Sequence, residues 1–220
     1  MAVRMSRAER REQTRTELLS AAQACFVERG FHASSVDEVA ERAGYTKGAV
    51  YSNFASKEDL FFAVYERRVE RTLTGVVPRL RQAGSARAFD WLATGAVERH
   101  DRDDGWLAVF FEFWAHVLRH PELRERFAAI HARFLEPMAD GVRALAEERG
   151  LALPGDLTAD QVVLAWNAME LGLGLERLTQ PRALDGEVAR RLGWLLLDAV
   201  LGPAQAPAGE HGPGQRRATR

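Results

Sequence analysis

The chain contains two lysines, Lys47 and Lys57, and both lie between Ser34 and Phe62. Ser35, Thr46, Tyr51 and Asn53 stand around them, so hydroxyl, phenol, amide and ammonium groups crowd into one short stretch. Groups of this kind hold phosphate oxygens: an ammonium brings a point charge, and hydroxyls and amides bring directed hydrogen bonds. Gly48 and Ala49 leave room for the close approach of whatever carries the phosphate. Thr46 has a second reading as a plain helix cap, Lys47 as a solvated charge, and Tyr51 as a ring packed on the first helix.

A second set of chemistry-bearing residues follows. Trp106 to Leu118 is apolar nearly all round, which predicts a helix buried on several sides. Glu112 and His116, four apart, interrupt it on one face. His131, Asn167 and Glu170 interrupt other apolar helices in the same way. With Trp91, Phe110, Phe113, Trp114 and Phe134, they would line a cavity for a flat or greasy ligand. A plain core with satisfied internal polar pairs is the competing reading. Glu112 and His116 have the makings of an acid–base pair, but no nucleophile motif or phosphate loop accompanies them. His116 and His120 have a spacing that suits a metal, yet no matching Cys, Asp or His cluster is near. No metal, cofactor or catalysis is expected.

The elements that must position these groups are helices, with no strand alternation anywhere. The first runs from about Ala8 to Glu28, with Leu18, Ala22 and Phe26 as its buried stripe and Gly30 as a left-handed stop. Ser35 and Glu38 form a capping box for the second, whose apolar face is Val36, Val39, Ala40 and Ala43. Gly44 turns the chain, Thr46 caps a third helix over about Lys47 to Asn53, and Ser56 opens a long fourth. Five more are expected near Ala86–Arg99, Trp106–Arg119, Pro121–Arg149, Ala159–Thr179 and Glu187–Leu201. From Gly202 the chain is rich in Pro, Gly and Ala with almost no large apolar residue, which predicts a disordered tail.

The segments FHASSVDEVA (Phe31–Ala40), AGYTKGAVYSNF (Ala43–Phe54) and SKEDLF (Ser56–Phe61) resemble the DNA-binding domain of the TetR family of bacterial transcriptional regulators. The resemblance is contiguous over roughly residues 12 to 65. It implies that Ser35, Thr46, Lys47, Gly48, Tyr51, Asn53 and Lys57 face DNA, with the short third helix in the major groove. It also implies that the remaining helices sense a small molecule. The expected architecture is therefore all-α: a helix-turn-helix domain over 8–56, a ligand-binding and dimerisation bundle over 57–201, and a tail over 202–220, about nine helices in all.

The composition agrees. Hydrophobic residues make up 46% and charged residues 28%, with a net charge of −1, so any DNA contact must come from a local patch. Arg4, Arg7, Arg10, Arg11 and Arg15 give the N-terminal arm such a patch. Cys25 is the single cysteine, which excludes an intrachain disulfide and fits a reducing cytoplasm. The N-terminus lacks the apolar core of a signal peptide, and no apolar run is long enough to span a bilayer. The late helices carry more apolar surface than one core needs (Trp166, Met169, Leu171, Leu173, Leu175, then Leu192 to Leu201), which predicts a two-fold dimer. The expected function is a ligand-responsive repressor on a palindromic double-stranded operator, released by a small hydrophobic or aromatic effector. A helical small-molecule enzyme or carrier with a vestigial DNA-binding domain is the alternative.

Overall fold

The computed structural model describes residues 6–75, 105–150 and 157–182, with isolated positions at 78, 153, 185, 187, 188, 191, 192 and 195. Those residues form seven helices and no strand: α1 (Arg7–Arg29), α2 (Val36–Ala43), α3 (Lys47–Tyr51), α4 (Lys57–Gly75), α5 (Trp106–Arg119), α6 (Pro121–Arg149) and α7 (Ala159–Thr179). The two other expected helices, Ala86–Arg99 and Glu187–Leu201, and the tail lie largely or wholly outside the described residues. No described helix is long and apolar enough to cross a membrane.

Three helices begin at capping boxes: Ser6 with Glu9, Ser35 with Glu38, and Thr158 with Gln161. Each pairs two backbone N–H groups that a helix start leaves open. Pro121 starts α6, where its missing N–H is harmless, and a left-handed Gly150 (φ 61°) ends it. Gly30 also has positive φ (83°), but its ψ of 167° is extended rather than the left-handed helical stop expected. That corner of backbone space is essentially reserved for glycine.

One apolar core runs through α1, α2, α3, α4, α5 and the start of α6. Leu18, Ala22 and Phe26 of α1 are fully buried, and Cys25 is nearly so. Residues Leu60 to Tyr65 of α4 are all buried, so this half of α4 is packed on every side. Phe61 stacks on Phe113 of α5 at 3.9 Å between ring centres, and Phe31 meets Phe113 edge-on at 4.9 Å. Rings this close add roughly 0.5–1.5 kcal/mol per pair beyond the area they bury. The N-terminal helices are thus bonded into the larger bundle through shared aromatics. A second apolar cluster joins α6 (Leu135, Met138, Ala139, Val142, Leu145) to α7 (Ala159, Val163, Trp166).

Candidate nucleic-acid interface and effector cavity

The α2–turn–α3 unit is built locally. Ser35 Oγ accepts the Glu38 N–H at 3.2 Å, and Glu38 accepts the Ser35 N–H at 2.9 Å. Gly44, at φ 73° and ψ 26°, closes α2 in the left-handed conformation. Thr46 Oγ1 accepts the Ala49 N–H at 3.2 Å and starts α3. Only Val50 of α3 is buried, and Phe54 follows it into the core. Thr46, Lys47, Gly48, Tyr51 and Ser52 are exposed, and Tyr51 stands 48% accessible. A Cβ on Gly48 would meet nothing nearer than Thr46 Oγ1 at 3.8 Å, so no internal crowding demands glycine there.

Several expected contacts are already engaged within the fold. Lys47 pairs with Asp37 at 2.7 Å, with both side chains more than half exposed, and the carboxylate raises the ammonium's pKa. Asn53 donates to the Ala49 carbonyl at 2.8 Å, closing α3. Arg15 reaches the Asn53 carbonyl at 3.3 Å and lies over the Phe54 ring, rather than projecting from a free arm. Lys57 donates to the carbonyls of Phe31, His32 and Ser34 at 2.9, 3.2 and 3.1 Å and sits over the Phe31 ring. An ammonium has three donors. Lys57 therefore holds the α1–α2 turn, a correction to the free phosphate contact expected of it.

Glu112 and His116 also differ from expectation. Neither lines the cavity between α4, α5, α6 and α7; both face the α1–α2 turn. Glu112 accepts the N–H groups of Phe31 and His32 at 2.8 and 2.7 Å. A Cβ on Gly30 would lie 2.5 Å from Glu112 Oε2, which explains the glycine. A carboxylate with both oxygens so committed is no acid–base catalyst. His116 lies 3.5 Å from Glu58, with His32 and His120 rings at 5.3 and 4.1 Å between centroids. Burial first, then His120, lowers its pKa. Among the described residues no cluster suits a metal ion.

The cavity lies elsewhere, between α4, α5, α6 and α7, with a volume of about 160 Å³. Of the residues expected there, Phe110, His131, Phe134, Asn167 and Glu170 line it. Phe113 is instead core, stacked on Phe61, and Trp114 sits one layer back against Phe110, Phe127 and His131. Trp91 lies outside the described residues. Sequence reasoning missed the α4 wall: Tyr65, Arg68, Val69 and Thr72. Their i, i+3, i+4, i+7 spacing was the available signal. His131 bridges the walls, 2.8 Å from the Tyr65 hydroxyl through Nδ1 and 3.2 Å from Asn167 Nδ2 through Nε2. Burial lowers the His131 pKa and raises that of Tyr65, so both are neutral near pH 7.

A capped helix, a glycine turn and a short exposed helix on an otherwise buried three-helix unit define a helix-turn-helix DNA-binding protein. The comparisons agree along the chain. The family model for bacterial regulatory proteins of the tetR family matches residues 18–64. The model for the C-terminal part of BetI-type transcriptional repressors matches residues 86–202. The chain belongs to the TetR family: it is a transcriptional regulator and not an enzyme. It is 45% identical to the transcriptional activator FasR of Mycolicibacterium smegmatis over 71 residues, 32% of either chain. It is 29% identical to the transcriptional regulator UidR of Escherichia coli over 149 residues, 67% of this chain and 74% of UidR. The chain thus spans about a third of FasR and about three quarters of UidR. The fold matches that of FadR from Bacillus subtilis in complex with stearoyl-CoA, with a TM-score of 0.67 at 17% identity over 85% of this chain and 98% of FadR.

Proposed function

We propose that the protein binds a palindromic DNA operator as a homodimer and is a repressor released by a small hydrophobic or aromatic effector. The observation that carries the ligand response is a shared pair of helices. α4 holds the α1–α2 turn through Lys57 and lines the cavity through Tyr65 and Arg68. α5 holds the same turn through Glu112 and lines the cavity through Phe110. A ligand that prefers a different spacing of α4 and α5 shifts the recognition helix by its differential affinity for the two states. The division into a DNA-binding domain over 8–56 and an effector domain over 57–201 follows this reading, with α4 as the shared element.

DNA contact is assigned to the exposed face of α3 and its flank: Thr46, Lys47, Gly48 and Tyr51, with Ser35 and Asn53 supporting through their caps. Gly48 supports this reading, since the space beside it is open to an outside surface. The homodimer is supported by α7. Leu164, Leu175 and Leu178 are exposed on it, with exposed Ala168 between, an i, i+4, i+11, i+14 row. This row differs from the expected dimer residues: Trp166 points into the second core and Leu171 lines the cavity. Two-fold pairing would present the α3 helices to successive major grooves, roughly 34–36 Å apart.

The test is binding of the purified protein to DNA upstream of its own gene at two salt concentrations, against a scrambled duplex. Selective binding that weakens with salt supports the reading. Equal, weak binding to both duplexes, repeated on genomic fragments, rejects it.

A further inference from the structure

We propose that the cavity takes a planar single-ring compound carrying an acceptor oxygen, a carbonyl above all, with the Tyr65 hydroxyl as the donor that recognises it. This rests on the reading of the cavity as the effector site and names the ligand class.

Three observations converge. The first is size. A cavity of about 150 Å³ accommodates one benzene-sized ring, and this one measures about 160 Å³. The second is the wall: Trp106 and Phe110, one turn apart on α5, and Phe134 of α6 present flat aromatic surface, and the Arg68 guanidinium lies over Trp106 at 4.5 Å. The third is the direction of the hydrogen bonds. Asn167 Nδ2 faces His131 Nε2 at 3.2 Å, and an amide nitrogen can only donate, so Nε2 accepts. A neutral imidazole that accepts at Nε2 carries its proton on Nδ1. His131 Nδ1–H therefore donates to Tyr65 Oη at 2.8 Å. That leaves the Tyr65 hydroxyl hydrogen to be given elsewhere, on a side chain that is 6% exposed and lines the cavity. A buried hydroxyl without an acceptor is unfavourable, so a ligand oxygen satisfies it. Asn167 and His131 act as positioning residues: they fix the tautomer and hence the direction in which Tyr65 donates.

The experiment compares benzamide with isopropylbenzene, which has the same number of heavy atoms and no polar atom, and with stearate as a long-chain probe. Binding is read by calorimetry and by the fluorescence of Trp106 and its neighbours. The wild-type chain is expected to bind benzamide. Tyr65→Phe is expected to weaken benzamide roughly fivefold to tenfold, the value of one hydrogen bond, and to leave isopropylbenzene unchanged. Asn167→Leu, which releases the tautomer but keeps Tyr65, is expected to weaken benzamide in the same direction. It also serves should Tyr65→Phe not fold, as judged by circular dichroism. An unchanged ratio of the two ring affinities in the folded variants overturns the proposal. So does binding of stearate without benzamide. Operator binding measured beside these titrations separates the two readings. If benzamide binds through Tyr65 but leaves operator affinity unchanged, the ligand class stands and the effector role falls. If stearate releases the operator while benzamide does not bind, the effector role stands and the ligand class falls.

Discussion

Glu112 of α5 accepts the backbone N–H of Phe31 at 2.8 Å, joining residues 81 positions apart in the chain. Its other oxygen takes the His32 N–H. The carboxylate satisfies two backbone donors of the α1–α2 turn and ties α5 to that turn. Glu112→Ala is expected to destabilise the fold by about 1–3 kcal/mol, the usual consequence of orphaning a part-buried donor. Gly30→Ala is expected to destabilise it too, through positive φ and the clash with Glu112. The double variant should lose less than the two single losses added, because Glu112→Ala removes the clash. Urea unfolding of all three chains checks this; strict additivity would mean the contact is not formed in solution.

Lys47 and Lys57 should behave differently towards salt. Lys47→Ala is expected to weaken operator binding and to lower the slope of log affinity against log salt by about one. Lys57→Ala is expected to lower the melting temperature and operator affinity together, with the slope kept, since its ammonium is held by three carbonyls. Equal slopes for both variants would put the two lysines in the same role.

Tyr51→Ala tests the recognition helix. The side chain is 48% exposed and supports little of the core. Stability should move by no more than about 0.5 kcal/mol, while operator binding should be lost. Retained binding in a mobility-shift assay would remove α3 from the interface.

Acid should weaken the fold through two histidines. His116 and His131 both have pKa values lowered below 6.5, chiefly by burial. For such a group the unfolded chain binds the proton first. The stability it contributes is complete above pH 6.5 and is lost as pH falls below that value. Glu58 opposes this at His116, and His120, His32 and Lys57 reinforce it. The melting temperature should fall between about pH 7.5 and about 5.5, less steeply in His131→Gln. An unchanged slope in that variant would show that His131 titrates alike in the folded and unfolded chains, with no shift on burial.

The leucine row on α7 gives a fifth prediction. Leu175→Glu places a charge in the middle of an exposed apolar face. It should convert dimer to monomer by light scattering and reduce operator affinity, with little change in helix content. A dimer that survives would place the interface elsewhere.

Helix bounds were legible wherever a local signal marks them. α5, α6 and α7 begin and end where Trp106, Pro121 and the Ala159–Thr179 pattern put them, because caps, prolines and glycines act within one turn. Val36, Val39 and Val50 turned inward as their spacing requires. The roles of Lys57, Glu112 and His116 were not legible. Each is decided by a partner far along the chain or on another helix, and such an approach leaves no periodic trace. The α4 cavity wall was hidden for a related reason: which face of a long helix meets a cavity, here the one with Tyr65 and Arg68, is decided by the helices packed on it. In the fold that helix carries core, cavity and turn at once.

Cys25 is buried on the packed face of α1, and burial raises its thiol pKa. The native chain is therefore silent towards thiol-reactive labels near neutral pH. A cysteine placed at exposed Ser52 would then be the one position to take a spin or fluorescent probe. In a dimer that probe becomes a ruler between the two recognition helices, read directly as a distance with and without ligand.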